Sequence, residues 1–352
     1  MHPTIGLTMI VRNEARCIAR CIQSAQSVVD SVTVCDTGST DGTVEIARNL
    51  GAHVVHAVWQ DDFSAARNVS LDHSQADWNL VLDADEWLDS GVTREQLQVS
   101  PGTTPFVGLI TVRSAFAADG RSGQAEAWLP RLLPSGVRYH GRIHEQPAHQ
   151  LKQRALDVLV HHDGYEPAQA AKKLERNEAL LHAELKRQPN SSYHHFQFAV
   201  HLASQDRWPE ALHSFMRSVA LGGMSQPFAH ELAVNLIHAQ CRCQQFRDAI
   251  DLVPQLQQRW PASADIHFAI GNLYLDVALA HPADAVDCWL PAAQQAWLTC
   301  LEIGEHGQGD VHVMGRGSYL AAHNLAVVYE GLGRSSEAQH YRQIAATSPL
   351  SH

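Results

Sequence analysis

The spacing of apolar residues changes once along this chain of 352 residues, near residue 165. Before that point, short runs rich in Val, Ile and Leu alternate with segments whose apolar residues recur at helical spacing. The runs that we predict as strands are residues 4–11, 32–35, 53–56, 79–82, 106–113, 127–133 and 156–161. This alternation indicates an α/β domain over residues 1–165, with a mixed sheet covered by helices and a ligand crevice at the carboxyl ends of its strands.

Residues 166–352 carry no strand signals, and Ala, Leu, Gln and His recur there at helical spacing. The small residues of successive helices are Ala199, Asn235, Gly271 and Ala326, at offsets of 36, 36 and 55 residues, so the last offset contains an insertion. A second small residue follows three of these helices, at Ala211, Ala249 and Ala338. The pattern resembles tetratricopeptide repeats, which pair two helices in units of about 34 residues. We therefore predict an all-α helical-repeat domain over residues 166–352, of the kind that holds peptides or partner proteins in a groove.

The charge balance and the cysteines indicate which partners and which cellular compartment suit this protein. Acidic residues outnumber basic ones by 37 to 26, and no run of Lys or Arg interrupts this balance. We expect no nucleic acid as the main partner, and a bound divalent cation suits the charge better. Seven cysteines without zinc-type pairs are typical of a reduced, cytoplasmic protein. Because no window reaches about 18 uninterrupted apolar residues, we predict no transmembrane segment. The sequence leaves homo-oligomerisation open.

Two acidic turns follow predicted strands. Asp36 opens the string DTGSTDGT, and a carboxylate at a strand end can accept hydrogen bonds from the base or ribose of a nucleotide. Asp83 and Asp85, in LVLDADE, are two positions apart, which puts both side chains on one face of an extended segment. They can share a hard divalent ion, Mg²⁺ or Mn²⁺, which would neutralise a diphosphate leaving group. Taken alone, each string also fits a solvated turn.

The strings MIVRNEA, VCDTGSTDGT, DFSAARN and LVLDADEWL occur in this order between residues 5 and 165. Together they resemble the family 2 glycosyltransferases of the GT-A fold, which has a Rossmann-like mixed sheet. The resemblance implies a nucleotide-sugar donor, with Asp36 at the uracil or ribose end, Arg67 near the diphosphate and Asp85 on the metal. The donor-binding residues that it implies are Asp36, Arg12, Glu14, Arg67, Asp83 and Ala84.

A narrower resemblance extends to about residue 220. The strings WQDDFSAARN, GRIHE and HDGY are similar to those of a bacterial branch typified by the sublancin-type peptide S-glycosyltransferases, some of whose relatives carry helical repeats. Comparable transferases present a third metal ligand at the junction where His162 stands here, and His161 is a near-equal alternative. The implied metal ligands are therefore Asp85, Asp83 and His162.

An inverting transfer to a hydroxyl needs a carboxylate on the acceptor side. We predict that Glu145, in the string GRIHE, is this general base, with His144 beside it as the second catalytic candidate and Asp163 as a further alternative. The competing interpretation of Glu145 is an ion pair with Arg142 or Arg138.

The predicted function is a metal-dependent, inverting hexosyltransferase that moves a sugar from a UDP-sugar to a nucleophile. Arg121, Arg131 and Arg138 are further candidates for a diphosphate or acceptor pocket. Cys, Ser or Thr side chains, lipid carriers and glycans are all compatible acceptors, and the helical repeats favour a peptide or protein. The alternative is a helical-repeat interaction protein whose N-terminal domain binds nucleotide-sugar without turnover.

Overall fold

The computed structural model describes residues 2–118, 121–163, 167–305 and 311–346. Contacts divide the chain into two compact units: residues 1–117 with 124–184, and residues 118–123 with 185–352. The division falls inside a long helix, Pro167–Arg187, so most of this helix is grouped with the first unit. The domain boundary that the sequence predicts after residue 165 stays a prediction. It was drawn where the strand pattern ends, whereas the two units are divided by their contacts.

The first unit is built on strands and helices that alternate along the chain. The strands are β1 (Ile5–Val11), β2 (Ser31–Asp36), β3 (His53–His56), β4 (Trp78–Val81), β5 (Glu86–Leu88), β6 (Val107–Ala118), β7 (Arg121–Pro134), β8 (Arg138–His140), β9 (Gln146–Ala148) and β10 (Gln153–His162). The helices are α1 (Ile18–Ala25), α2 (Thr43–Asn49), α3 (Phe63–His73) and α4 (Pro167–Arg187).

The main sheet has the strand order β3-β2-β1-β4-β7-β6-β10-β5. Strand β1 runs parallel to β2 and β4, and β2 runs parallel to β3. Strand β7 is antiparallel to β4, β10 is parallel to β6, and β5 is antiparallel to β10. The sheet is therefore mixed, which confirms the predicted α/β fold class, and all seven predicted strands are present. The three-residue strands β5, β8 and β9 are too short to show a periodic pattern, and the sequence did not reveal them.

The core of this unit explains why the acidic turns lie where they do. Ile5, Leu7 and Met9 of β1 are fully buried, as expected for a central strand between two parallel neighbours. Helix α1 buries Ile18 and Ile22 in the same core. Because β1, β2 and β4 are parallel, the loops that follow them emerge at one edge of the sheet, and the loops after β1 and β4 carry Arg12, Glu14, Asp83, Ala84 and Asp85.

The second unit consists of helices that pair in chain order. They are α5 (Ser192–Ala203), α6 (Trp208–Ala220), α7 (Ala229–Arg242), α8 (Phe246–Arg259), α9 (Ala264–Ala280), α10 (Leu290–Ile303), α11 (Tyr319–Gly331) and α12 (Ser335–Ala345). Helix α5 contacts α6, α7 contacts α8, α9 contacts α10 and α11 contacts α12, which confirms the predicted helical-repeat fold. At Gly271 an added Cβ would lie 2.4 Å from Trp297 Nε1, so the close approach of α9 and α10 requires glycine there.

The predicted insertion lies between α9 and α11. It contains a short π-helix, Ala285–Trp289, before α10 and the short strand β11 (Val311–Val313) after it. Residues 306–310 of the insertion lie outside the described residues. Across the described ranges of both units, no helix is long and apolar enough to cross a membrane.

Glu231, in the first turn of α7, has no ion-pair partner among the described residues, and burial raises the pKa of its carboxyl to about 7. A pKa that is higher in the folded than in the unfolded chain favours folding at low pH, and this contribution is lost as the pH rises through the folded value. We therefore expect Glu231→Gln to change the free energy of unfolding little at pH 4 and to raise it on the order of 2 kcal/mol at pH 8.

Urea unfolding of the full chain at both pH values checks this expectation. Glu302→Gln, at an exposed position of α10, is the matched control and should show no such pH dependence. A Glu231→Gln effect that stays constant between pH 4 and pH 8 would contradict the prediction.

Candidate active site

A cleft of about 840 Å³ opens in the first unit, at the edge of the sheet where the acidic turns lie. This volume is in the range of pockets for small-molecule substrates. The predicted site residues that line it are Arg12, Glu14, Arg67, Asp83, Ala84, Asp85, His144, Glu145 and His162. The structure therefore brings together nine of the ten predicted site residues, which are separated by up to 150 positions in the sequence. Of these ten, Asp36 does not line the cleft, and neither does Asp163, the further alternative named for the base.

The loop after β1 is tied to the turn after β2 by Asn13. Its backbone adopts the left-handed region, with φ of 60°, which Asn tolerates better than most residues. The Asn13 N–H donates to Ser39 Oγ at 2.9 Å, and Asn13 Oδ1 accepts from the Thr40 N–H at 2.8 Å. These bonds fix the two residues that flank Asn13, Arg12 and Glu14, at the cleft. Burial raises the pKa of Glu14, although a hydrogen bond from the Cys17 thiol acts in the opposite direction.

Asp36 ends β2 and is only 3% exposed. Its carboxylate accepts the N–H groups of Gly38 at 3.2 Å and Ser39 at 3.1 Å, and His56 Nδ1 lies 3.2 Å from Oδ2. Burial opposes ionisation of Asp36, but the bonds from Ser39, Gly38 and His56 outweigh it and lower its pKa. The carboxylate therefore shapes the turn that borders the cleft, and its role at the nucleotide stays a prediction.

Asp83 is held between two arginines. Its Oδ1 accepts from Arg67 Nη2 at 3.0 Å, and its Oδ2 accepts from Arg131 Nη2 at 3.1 Å. Burial opposes ionisation, but the two guanidinium groups hold the pKa of Asp83 well below its usual range. Both carboxylate oxygens are thus engaged by cations. The assignment of Asp83 as a metal ligand stays a prediction, and the geometry gives it a second role in fixing Arg67.

Asp85 and His162 form the pair that faces the cleft. Their Oδ2 and Nε2 atoms are 3.4 Å apart, and His162 Nδ1 lies 3.1 Å from Ser114 Oγ, which fixes the orientation of the ring. The hydrogen bond to Asp85 raises the pKa of His162, although burial acts against it. The described ranges hold no group of three or more His, Cys, Asp or Glu side chains arranged for a metal ion.

His161 is turned away from this pair. Neighbouring residues on a strand point to opposite faces of the sheet. His161 Nε2 lies 3.0 Å from Asp89 Oδ2, and its ring stacks on Trp87 with centroids 5.4 Å apart. Strand alternation thus separates the two histidines that the sequence left as near-equal candidates, and His162 is the one at the cleft.

Glu145 lines the cleft and is paired with a buried arginine. Its Oε1 accepts from Arg67 Nε at 2.8 Å and lies 2.7 Å from Arg67 Nη2. The competing interpretation of Glu145, an ion pair with Arg142 or Arg138, named the wrong partner, because Arg138 pairs with Asp72 and Arg142 lies near Glu184. The role of Glu145 as a general base stays a prediction.

These contacts join five alternating charges, which we call the charge ladder: Glu145, Arg67, Asp83, Arg131 and Glu86. Glu86 also accepts the Asp83 N–H at 2.9 Å. Burial raises the pKa of Glu86, with Arg131 acting against the shift. Of the three further arginines named from the sequence, Arg131 belongs to the ladder beneath the cleft, Arg138 pairs with Asp72, and the side chain of Arg121 lies outside the described residues.

Other lining residues carried no assigned role in the sequence analysis. Trp59 and Phe63 meet edge to face, with centroids 4.9 Å apart, and Arg176 lies 5.0 Å over the Phe63 ring. Lys173 and Asn177 of α4 line the cleft with Arg176. The basic residues near the start of α4 come soon after the HDGY string in the sequence. Their closeness to His162 along the chain was the signal that could have predicted α4 at the cleft. Two cations from α4 therefore face the same space as the acidic turn.

Comparisons with known proteins agree with the motifs. Residues 7–128 match the model of glycosyl transferase family 2. The SPbeta prophage-derived glycosyltransferase SunS of Bacillus subtilis is 28% identical over 227 residues, which are 62% of this chain and 53% of that protein. A TPR repeat-containing protein of Synechococcus elongatus is 51% identical over 84 residues, which are 24% of this chain and 21% of that protein.

The crystal structure of MamA is 18% identical and covers 52% of this chain and 95% of its own, with a TM-score of 0.39. The chain spans between about a fifth and about half of the length of the two curated relatives.

Proposed function

We propose that this chain, whose residues 7–128 form a family 2 glycosyltransferase domain as its motifs predicted, transfers a sugar from a nucleotide-sugar donor to a nucleophilic acceptor. The observation that carries the proposal is the cleft at the strand ends of this domain. It gathers the acidic turn at Asp83 and Asp85, the imidazole of His162 and the carboxylate of Glu145 around one space. With a divalent cation on the acidic turn, such a set would bind a diphosphate, and Glu145 would assist a nucleophile.

The donor that we propose is a UDP-sugar bound with Mg²⁺ or Mn²⁺. The separation of 3.4 Å between Asp85 Oδ2 and His162 Nε2 fits two neighbouring ligands of one ion, which would be about 3 Å apart. Mg²⁺ commonly takes few protein ligands and fills its other positions with water and phosphate oxygens. A divalent ion bound there would neutralise the negative charge that develops on the diphosphate as it leaves.

The basic residues of the cleft supply the remaining charge. Arg67 is fixed by Asp83 and Glu145, so it is a rigid cation at the floor of the cleft. Lys173 and Arg176 line the wall that α4 forms, and Arg12 lines the cleft from the loop after β1. Preorganised cations of this kind stabilise a leaving diphosphate without reorganising during the reaction.

Transfer with inversion follows from an acceptor placed opposite the leaving group. The bond between acceptor oxygen or sulfur and sugar C1 forms as the bond between C1 and the diphosphate oxygen breaks, and the diphosphate keeps the electron pair. Glu145 takes the proton from a hydroxyl acceptor. A peptide or protein is the acceptor that we propose, because the helical unit has the architecture of repeat proteins that hold peptides.

Incubating the purified full chain with UDP-glucose or UDP-N-acetylglucosamine and MnCl₂ tests the function. We expect release of UDP, faster when peptides from co-expressed candidate substrates are added, and a matching mass increase on the peptide. Removal of the metal with EDTA should stop both. A chain that binds UDP-sugar but releases no UDP under any of these conditions would instead be the non-catalytic binding protein considered above.

Asp36 offers a separate test of donor recognition. We expect Asp36→Ala to weaken UDP binding about tenfold or more, because a buried carboxylate that bonds the nucleotide and shapes the turn is lost. Calorimetry with UDP measures this. His56→Gln is the control, since His56 touches the same carboxylate but not the turn N–H groups. Unchanged UDP affinity in Asp36→Ala would refute the assignment.

A further inference from the structure

Asp163 directly follows β10 and is bound by two arginines from another element. Its Oδ2 accepts from Arg16 Nη1 at 3.1 Å and from Arg20 Nη2. Arg16 lies just before α1 and Arg20 in its first turn. The Asp163 side chain is 19% exposed, whereas those of Arg16 and Arg20 are 49% and 43% exposed. The mostly buried carboxylate of Asp163 is thus paired with two arginine side chains that lie nearer the surface.

The backbone of Asp163 is bonded to the acidic turn. Its N–H donates to the carbonyl oxygen of Asp85 at 3.4 Å. The preceding residue, His162, places Nε2 3.4 Å from Asp85 Oδ2. The end of β10 therefore meets the turn at Asp85 through two contacts, one from backbone to backbone and one from side chain to side chain.

Helix α1 also forms hydrogen bonds with the residues on either side of Asp85. The Cys21 thiol donates to the Asp83 carbonyl at 3.4 Å, and Ser24 Oγ accepts the Leu88 N–H at 3.0 Å. The Arg20 guanidinium lies 3.6 Å over the ring of Trp87, which holds Arg20 in place for Asp163. One helix thus fixes both the segment that carries Asp85 and the strand end that carries His162.

We propose that Asp163, clamped by Arg16 and Arg20, is a positioning residue that sets His162 Nε2 against Asp85 so that the pair is prearranged for a divalent cation. The inference rests on the proposed function and deepens it. Histidines that bind metal need outer contacts to fix the ring. Ser114 sets the rotation of the His162 ring, and the clamp sets the backbone from which the ring projects.

A purely structural ion pair on the surface predicts a different outcome. Exposed pairs of Arg and Asp contribute little to folding and would leave metal affinity unchanged. The Kd for the metal, measured in the absence of sugar transfer, therefore distinguishes a positioning role of Asp163 from a purely stabilising one.

The experiment titrates the full chain with MnCl₂, alone and with UDP, and measures bound Mn²⁺ by electron paramagnetic resonance. Asp163→Asn keeps the size of the side chain and removes its charge. We expect its Kd for Mn²⁺ to rise about tenfold, the usual size of an outer-contact effect. Asp72→Asn is the matched control, because it breaks the Asp72–Arg138 ion pair elsewhere on the same unit and should leave the Kd at the wild-type value.

A second variant approaches the clamp from the arginine side. Arg16→Gln with Arg20→Gln changes only exposed side chains, so this protein should fold even if Asp163→Asn does not, and it should show the same rise in Kd. Hydrogen exchange should quicken at the end of β10 in both proteins, whereas Asp163→Glu should recover part of the affinity.

Three results would overturn the clamp. Wild-type Mn²⁺ affinity in both clamp variants would overturn it while leaving the metal site of the proposed function intact. An equal loss in Asp72→Asn would show that the effect is not specific. A wild-type chain that binds no Mn²⁺, alone or with UDP, would overturn the clamp together with the metal part of the proposed function.

Discussion

Replacement of Asp85 by Asn should lower the rate of sugar transfer roughly 100-fold or more, because the carboxylate that we propose to hold the cation at the leaving diphosphate is lost. Asp85 lies 3.4 Å from the ring nitrogen of His162 and lines the cleft, and its neighbour Asp83 is engaged by Arg67 and Arg131. No second carboxylate of the turn is therefore free of cation partners to replace it. Release of UDP by the purified chain measures the rate, and calorimetry with MnCl₂ and UDP measures metal-dependent donor binding.

The chain offers a matched control for this substitution. Asp89, directly after β5, and His161 of β10 form a second Asp–His pair 3.0 Å apart, but they do not line the cleft. Asp89→Asn should leave transfer and donor binding unchanged. If Asp85→Asn kept wild-type turnover and the same response to Mn²⁺, or if Asp89→Asn were equally impaired, the metal assignment would be wrong.

Glu145→Gln should reduce kcat by about 10²–10⁴-fold with a hydroxyl acceptor while donor affinity stays nearly unchanged. Glu145 is on the cleft wall, and within the described residues its carboxylate pairs with Arg67, which fixes one oxygen. Gln keeps an oxygen that can accept from Arg67 but is a far weaker base. The expected loss therefore measures proton transfer rather than the position of Arg67.

Two peptides that differ only by Ser or Cys at the acceptor position provide the comparison. A thiol needs a base much less, since a few per cent of it is already thiolate near pH 7 and is strongly nucleophilic. We expect Glu145→Gln to impair the Ser peptide far more than the Cys peptide. Near-normal turnover on the Ser peptide would place the base elsewhere, with His144, which lines the cleft, as the residue to test next. Urea unfolding of the variant shows whether loss of the charge has also weakened the fold.

The sequence predicted the fold class because strand alternation and helical repeats are short-range patterns, and it predicted most of the cleft residues through the resemblance of its motifs to the family 2 glycosyltransferases. The alternation of strands and helices and the 36-residue offset each extend over a few tens of residues. Asp36 and Asp85 could be identified because they follow apolar strands. The choice between His161 and His162 was out of reach, because it depends on which face of β10 is turned to the cleft. Register of this kind is fixed by pairing with β5 and β6, not by the local string.

The sequence also did not reveal ion pairs between residues that are far apart in the chain. Arg131 is 45 residues from Glu86 and 48 from Asp83, and Glu145 is 78 residues from Arg67. Pairing over such separations is set by the sheet order, which no single sequence reveals. The place of α4 at the cleft was missed for a related reason, since its helical pattern grouped it with the repeats that follow.

The charge ladder constrains which substitutions this domain can accept together. Removing one member would leave a neighbouring buried charge without its counterion, at a cost of about 3–5 kcal/mol. Among relatives of this chain, changes at Arg67, Asp83, Arg131 and Glu86 should therefore occur as compensated pairs rather than one at a time. Libraries aimed at a new donor or acceptor should leave the ladder intact and randomise the rim of the cleft, where Trp59 and Asn177 lie outside this chain of dependent charges.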